Sequence, residues 1–344
     1  MKKLRIVCLI LTAWQLGLGS KAQSLEAKWR VGFDYFFDNT EFESSTLTDD
    51  RTMSAVRLSP EAEFSWSGKH HLFAGFSALR NTGSRSFADH VTPLAYYLFK
   101  EANVQLYAGI FPRNELLSNY SDFFFQDSVR YYVPAMQGIF WQMGKRDDSF
   151  FNLWLDWTGK QSPVQHESFF LGASAYKKFN LFFLDFQSYL FHFAKTLPPN
   201  DGQHVCDNAL LQLSAGLKWN KLSVFDDVIL SAGGLAGFER ERNVEGQTYM
   251  PIGLVLRAKA DFWKLSVDNR LYLGDKRMNM YGKFGSALYW GNPFLRDNLY
   301  FQSRLYWQIF QTDVLKARLA SHFHYSEAQW MFEQVFTLQV AIGN

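Results

Sequence analysis

The chain has 344 residues, 35 Lys+Arg against 33 Asp+Glu, 47% hydrophobic and 18% aromatic residues, and a mean hydropathy of -0.19. A disordered chain would be poor in aromatics, a helical membrane protein needs several apolar runs of roughly 20 residues, and two Cys cannot staple a small disulfide scaffold. Near-neutral charge argues against a nucleic-acid partner, which calls for a basic face.

The first element is an export signal. Lys2, Lys3 and Arg5 form a cationic start, Ile6–Leu18 an apolar stretch, and Ser20-Lys21-Ala22 a small-residue box, which predicts cleavage before Gln23. Residues 1–22 are thus a signal peptide and 23–344 a single domain. Removing the signal leaves 31 basic against 33 acidic residues, a net -2, and one cysteine, Cys206. A lone thiol makes no internal disulfide, so burial and hydrogen bonding must hold the exported fold.

From Trp29 onward apolar and polar residues alternate over about ten positions before each turn, the pattern of membrane-spanning strands with one lipid face and one wet face. Trp29, Val31, Phe33, Tyr35 and Phe37 share a face against Arg30, Gly32 and Asp34. Leu211, Leu213, Ala215 and Leu217 oppose Gln212, Ser214 and Lys218; Ile252, Leu254 and Leu256 oppose Gly253, Arg257 and Lys259; Leu315, Ala317 and Leu319 oppose Lys316, Arg318, His322 and His324. Trp29, Trp66, Trp157, Trp219, Trp307 and Trp330 fall at run ends, where amphipathic rings suit bilayer interfaces. Short polar turns are expected at 67–69, 100–103, 144–148, 177–180, 220–221, 261–264 and 311–313, with longer stretches between them. Seven short inner turns and eight outer loops, seven of them longer and one short at 325–329, predict an all-β, transmembrane, antiparallel up-and-down β-barrel of about sixteen strands with both termini periplasmic. Fourteen remains open if 91–99 and 104–111 are not both full strands. Pro60 inside the second run suggests a bulge or a displaced register. A secreted β-sandwich also alternates, but it needs no charged residues at mid-strand and lacks the short-then-long alternation of connections.

The ten-residue aromatic-rich strands, the Ser20-to-Gln23 cleavage region and the final run Phe336–Ile342 resemble outer-membrane β-barrels of Gram-negative bacteria, porin-like and of Bacteroidetes type. The ending Ile342-Gly343-Asn344 departs from the terminal aromatic of many such barrels. The resemblance implies an outer-membrane location, contact with lipid and lipopolysaccharide, and a channel for passive or weakly selective passage of small polar solutes, with a homo-oligomer conceivable. Two alternatives stand beside it: a lipid-modifying enzyme, and a non-conducting barrel whose loops bind a polysaccharide or protein.

The wet faces carry Arg30, Arg57, Arg257, Lys259, Arg270, Arg304, Lys316 and Arg318 with Asp34, Glu61, Glu63, Asp156 and Asp185, joined by Lys218, Asp268 and Glu333. Segregated across a pore these charges would create a transverse field; paired, they would only fill a wet interior. The third long loop, Pro112–Val129, holds Tyr120, Asp122, Phe123, Phe124, Phe125 and Asp127, rings too costly to leave in water. By position it resembles the infolded third loop of sixteen-stranded porins. Met278–Phe294 is similarly aromatic, suited to stacking on sugar or to self-packing. His166-Glu167-Ser168 resembles the His-x-Ser pair of outer-membrane phospholipases, but Phe169-Phe170 replaces the Asn-Gly that follows there, and Asn180 falls at the far end of the strand. His322 with His324, and His204 with Cys206 and Asp207, lack a third metal ligand nearby in sequence. Asp38, Glu41, Glu43, Asp49 and Asp50 are expected to crowd the first loop, where Ca²⁺ would suit them. No resident cofactor or metal is expected, and no catalytic residue is assigned.

Overall fold

A computed structural model describes residues 25–344 apart from 114, 115, 147 and 247; the export signal lies outside these residues. The strands are β1 (Glu26–Glu41), β2 (Arg51–Trp66), β3 (His70–Asn81), β4 (His90–Glu101), β5 (Val104–Pro112) and β6 (Ala135–Lys145). They continue as β7 (Ser149–Gly159), β8 (Ser168–Phe179), β9 (Phe182–Phe193), β10 (Cys206–Leu222) and β11 (Phe225–Glu241). The last are β12 (Thr248–Tyr249), β13 (Ile252–Phe262), β14 (Leu265–Gly274), β15 (Leu299–Gln311), β16 (Leu315–Ser326) and β17 (Gln329–Gly343). The two-residue β12 pairs only with β11, alongside β13, so sixteen strands make the wall, each antiparallel to the next. β4 and β5 are both full strands, which excludes fourteen.

The barrel closes where β1 pairs with β17 from Arg30↔Gly343 to Glu41↔Phe332. Closure is what lipid demands, because no water is present there to satisfy an open edge. Both described chain ends and seven short hairpins share one end, and the long connections share the other with the two-residue turn Glu327-Ala328 between β16 and β17. Among the described residues no helix is long and apolar enough to cross a membrane. Leu211, Leu213, Leu217, Leu254, Leu256 and Leu319 lie exposed on the outer face, as do Trp29, Trp157, Trp307 and Trp330.

Several local expectations are corrected. Pro60 causes no bulge: Leu58↔Ala78 and Glu61↔Gly75 keep one register across it, and its missing N–H costs only a local ladder bond. Lys177 and Lys178 remain in β8, and Asn220 and Lys221 remain in β10, because pairing continues to Phe179↔Phe182 and Leu222↔Phe225. Asp38 and Glu41 are not in the first loop but in β1, Asp38 facing inward, and Cys206 and Asp207 open β10 instead of closing a loop.

Candidate functional site in the lumen

Inward positions along the strands are polar, yet the largest buried apolar cluster also lies inside the barrel. It joins inward rings of the wall to rings from two connections at the long-loop end, 113–134 between β5 and β6 and 275–298 between β14 and β15. The first contains the helix α1 (Asp127–Tyr132), the second the helical turn α2 (Tyr281–Phe284) and two 3-10 turns. Phe123, Phe124 and Phe125 are 1%, 0% and 2% exposed, and Tyr120 and Tyr289 are each 2% exposed. Three consecutive rings are tolerable in a connection only when it leaves water, and the wall supplies their partners. Phe125 packs against Trp154 of β7, Phe170 of β8 and Tyr189 of β9, while Phe123 meets Tyr272 of β14 and Tyr300 of β15.

Polar contacts then fix the segment across the bore. The Tyr120 hydroxyl donates to the Ala173 carbonyl at 2.9 Å and accepts from Trp154 Nε1 at 2.9 Å. Ser121 N–H donates to Gln187 at 3.1 Å, Asn119 to Ser174 at 2.8 Å, and on the opposite side Tyr132 donates to Asn81 at 2.9 Å. The two infolded connections grip each other: Gln126 N–H donates to the Trp290 carbonyl at 2.9 Å and Asn292 N–H to the Asp122 carbonyl at 3.0 Å. Gly291 permits this approach, since a Cβ there would stand 2.1 Å from the Phe123 carbonyl oxygen.

Asp122 is the hub. Its carboxylate receives Arg270 at 2.5 Å, Arg304 at 3.1 Å and Asn292 at 3.2 Å. Burial by itself would raise its pKa, but the guanidinium charges of Arg304 and Arg270 outweigh that and hold the carboxyl well below the usual range. Arg270 also reaches Asp268 at 3.2 Å, which pairs with Arg257 at 2.8 Å, and Arg304 reaches Asp127 at 3.5 Å. Elsewhere Arg30 meets Glu61 at 3.0 Å, Arg57 meets Asp34 at 3.9 Å, His71 meets Glu63 at 2.7 Å and Lys259 meets Asp261 at 2.6 Å. Asp185 accepts from Gln187 at 2.8 Å. Asp156 pairs with Arg113 at 2.5 Å, a partner that sequence reading missed because Arg113 lies in a connection and not on an alternating run. The charges therefore interlock around the plug. Lys316 and Arg318 line a cavity of about 390 Å³ towards the end with the termini, and a neighbouring cavity of about 370 Å³ shares Ser118, Arg130, Arg304 and Tyr306 with it.

The remaining motifs separate. His204 pairs with Glu241 at 2.9 Å, whereas Asp207 pairs with Arg242 at 2.7 Å and His192 at 3.0 Å, so His204, Cys206 and Asp207 form no common site. Asp50 accepts from Phe42 N–H and closes the first loop, while Asp38 is walled off from it inside the barrel. The rings of 278–294 turn inward, with Tyr281 stacked on Tyr289 and Trp290 packed on Phe170. His166 Nδ1 contacts the Ala194 carbonyl at 2.6 Å, which leaves Nε2 as the basic nitrogen, with the Gln203 amide nitrogen 3.5 Å from it, and the ring stacks on Phe193. The Ser168 hydroxyl bonds to Thr158 at 2.8 Å. Both residues line a cavity of about 510 Å³ at the long-loop end, together with Gln165, Trp290 and Phe191. Asn180 sits in the hairpin at the opposite end of β8 and cannot join them.

Residues 20–342 match the model of a family described as lipid A 3'-O-deacylase-type. The chain belongs to that family. No curated protein sequence is significantly similar to this chain. Among solved structures, a loop-deletion mutant of OmpT, an outer membrane protein of Vibrio cholerae, superimposes with a TM-score of 0.56 at 7% identity over 94% of this chain and 100% of that one. The anion-selective porin from Comamonas acidovorans gives 0.55 at 10% identity over 93% and 100%. At such identities the likeness concerns the fold. This family member is an outer-membrane β-barrel.

Proposed function

We propose that the barrel acts on acylated glycolipid of the lipid A class at its long-loop end, releasing an O-linked acyl chain, and that its termini face the periplasm. The observation that carries this reading is the buried plug. Phe123–Phe125 and the rings around Tyr289 pack inside the barrel at its long-loop end, while the cavity beside His166, at the same end, is walled by Phe191, Phe193 and Trp290, apolar surface suited to an acyl chain. Family membership supports the same substrate class. In this reading His166 Nε2 takes a proton from a water that attacks the ester carbonyl; the acyl–oxygen bond breaks and the sugar hydroxyl leaves with that proton. Vesicles containing lipid A, incubated with the folded protein, should yield free fatty acid and lipid A lighter by one acyl chain, and His166→Ala should abolish the release. Unchanged lipid A with a folded, heat-modifiable barrel refutes the proposal.

A second reading, a channel for small polar solutes with anion preference, is favoured by one observation. The two cavities towards the termini are lined by ten basic side chains, among them Arg57, Arg113, Arg257, Lys316 and Arg318, against four acidic ones, Asp34, Asp122, Asp127 and Asp185. Ohmic, anion-selective steps in a planar bilayer, with lipid A left intact, would replace the first reading by this one.

A further inference from the structure

We propose that His322, His324, Glu333 and Asp38 form a binding site for a divalent first-row transition metal of the Zn²⁺ type, set into the seam where the barrel closes. The strand register brings these residues together. His322 lies directly opposite Glu333 across β16 and β17, and His324 is two residues along on the same inward face. Thr40 of β1 lies opposite Glu333 on its other side, so Asp38 sits one diagonal step away, also inward. Two imidazoles and two carboxylates thus converge from three neighbouring strands, two of them the first and last of the chain.

The geometry matches a metal's needs. One ligand atom each from His322, His324 and Glu333 lies within 4.8 Å of the others; His322 Nδ1 and Glu333 Oε2 are 2.7 Å apart, and His324 Nε2 and the same oxygen 3.1 Å apart. Tetrahedral ligands at about 2.0–2.1 Å from zinc stand roughly 3.3 Å from one another, so a cation fits after a small spread. The His324 ring is oriented from behind, its Nδ1 lying 2.8 Å from the Tyr300 hydroxyl, as a metal-bound imidazole usually is.

One orphaned group points to a cation beyond what hydrogen bonding explains. Asp38 is 0% exposed and neither carboxylate oxygen has a hydrogen-bond partner. A carboxylate buried beside a second carboxylate is costly unless it takes up a proton or a positive ion lies between them, and a divalent cation balances both charges at once. Two guanidiniums line the cavity beside Asp38: Arg304 is already engaged by Asp122 and Asp127, and Arg51 forms no ion pair with Asp38 among the described residues. Access exists from both sides: a cavity of about 50 Å³ reaches Asp38, His324 and Glu333, and the cavity of about 390 Å³ reaches His322. Two imidazoles with carboxylates select zinc, iron, cobalt or manganese over calcium, which prefers an all-oxygen shell. A metal here ties β1 to β16 and β17.

The test uses the full mature barrel in detergent, stripped by chelation and titrated with Zn²⁺ by calorimetry and with Co²⁺ by visible absorption. One ion per chain should bind, with Co²⁺ showing the intense d–d bands of a four- or five-coordinate site, and Zn²⁺ should raise the temperature at which boiling changes gel migration. His322→Ala combined with His324→Ala should weaken binding at least a hundredfold, and Asp38→Asn at least tenfold, while His166→Ala and His204→Ala leave it unchanged. Because the double variant alters the seam, its heat-modifiable migration is recorded to establish that it is folded. Absence of stoichiometric binding, or binding that survives in the folded double variant, overturns the proposal.

Discussion

Asp122→Asn should unseat the plug without unfolding the wall. The wild-type carboxylate joins Arg270 and Arg304 of the wall to Asn292 of the second infolded connection. Removing one partner of a buried ion pair costs about 3–5 kcal/mol, since the remaining charges lose their counterion. Here the lower figure applies, because Arg270 keeps Asp268 at 3.2 Å and Arg304 keeps Asp127 at 3.5 Å. About 3 kcal/mol is roughly a 150-fold change in the equilibrium between seated and released segment. Arg130 lies in that segment, so trypsin added to the protein in liposomes reports its release, and where reclosing outpaces cleavage the cutting rate follows the opening equilibrium. Cleavage after Arg130 should accelerate by about two orders of magnitude. A change of less than threefold in a folded variant would refute the keystone role. The pH dependence follows in sign. The folded carboxyl is depressed below its unfolded value, so its contribution is complete above the unfolded pKa of about 3.9 and is lost only as pH falls through the lower folded value. Trypsin is inactive there, so pepsin replaces it, and cleavage within 113–134 should stay slow at pH 4.

Two substitutions test packing on opposite faces of the wall. Gly172→Ala places a Cβ 2.1 Å from the ring of Trp154, a side chain that is 2% exposed and donates to Tyr120. The ring must shift and the variant should lose about 1–3 kcal/mol, measured by urea unfolding in liposomes; an unchanged midpoint would contradict it. Leu213→Arg, in the middle of β10 and 54% exposed on the outer face, should cost about 2–4 kcal/mol in a bilayer, against about 0–1 kcal/mol for Val224→Arg in a hairpin. Equal costs for the two would argue against a lipid-facing outer surface.

The barrel was legible in the sequence because period-two alternation is a local property: a residue faces lipid or lumen according to its parity, and a closed barrel is the arrangement that leaves no strand edge in the bilayer. Strand ends were less legible, as at Lys177–Asn180 and Asn220-Lys221, because a polar residue at the interface suits a strand end as well as a turn. The three rings Phe123–Phe125 announced that their connection had to leave water, but not where it would go. Tertiary structure alone decided that Asp122 faces Arg270 and Arg304, that Arg113 reaches Asp156, and that His322 and His324 share Glu333 and lie near Asp38, almost three hundred residues earlier in the chain. Alternation fixes which face a side chain takes, whereas register and closure fix its neighbours around the ring, and chemistry in a barrel depends on those neighbours.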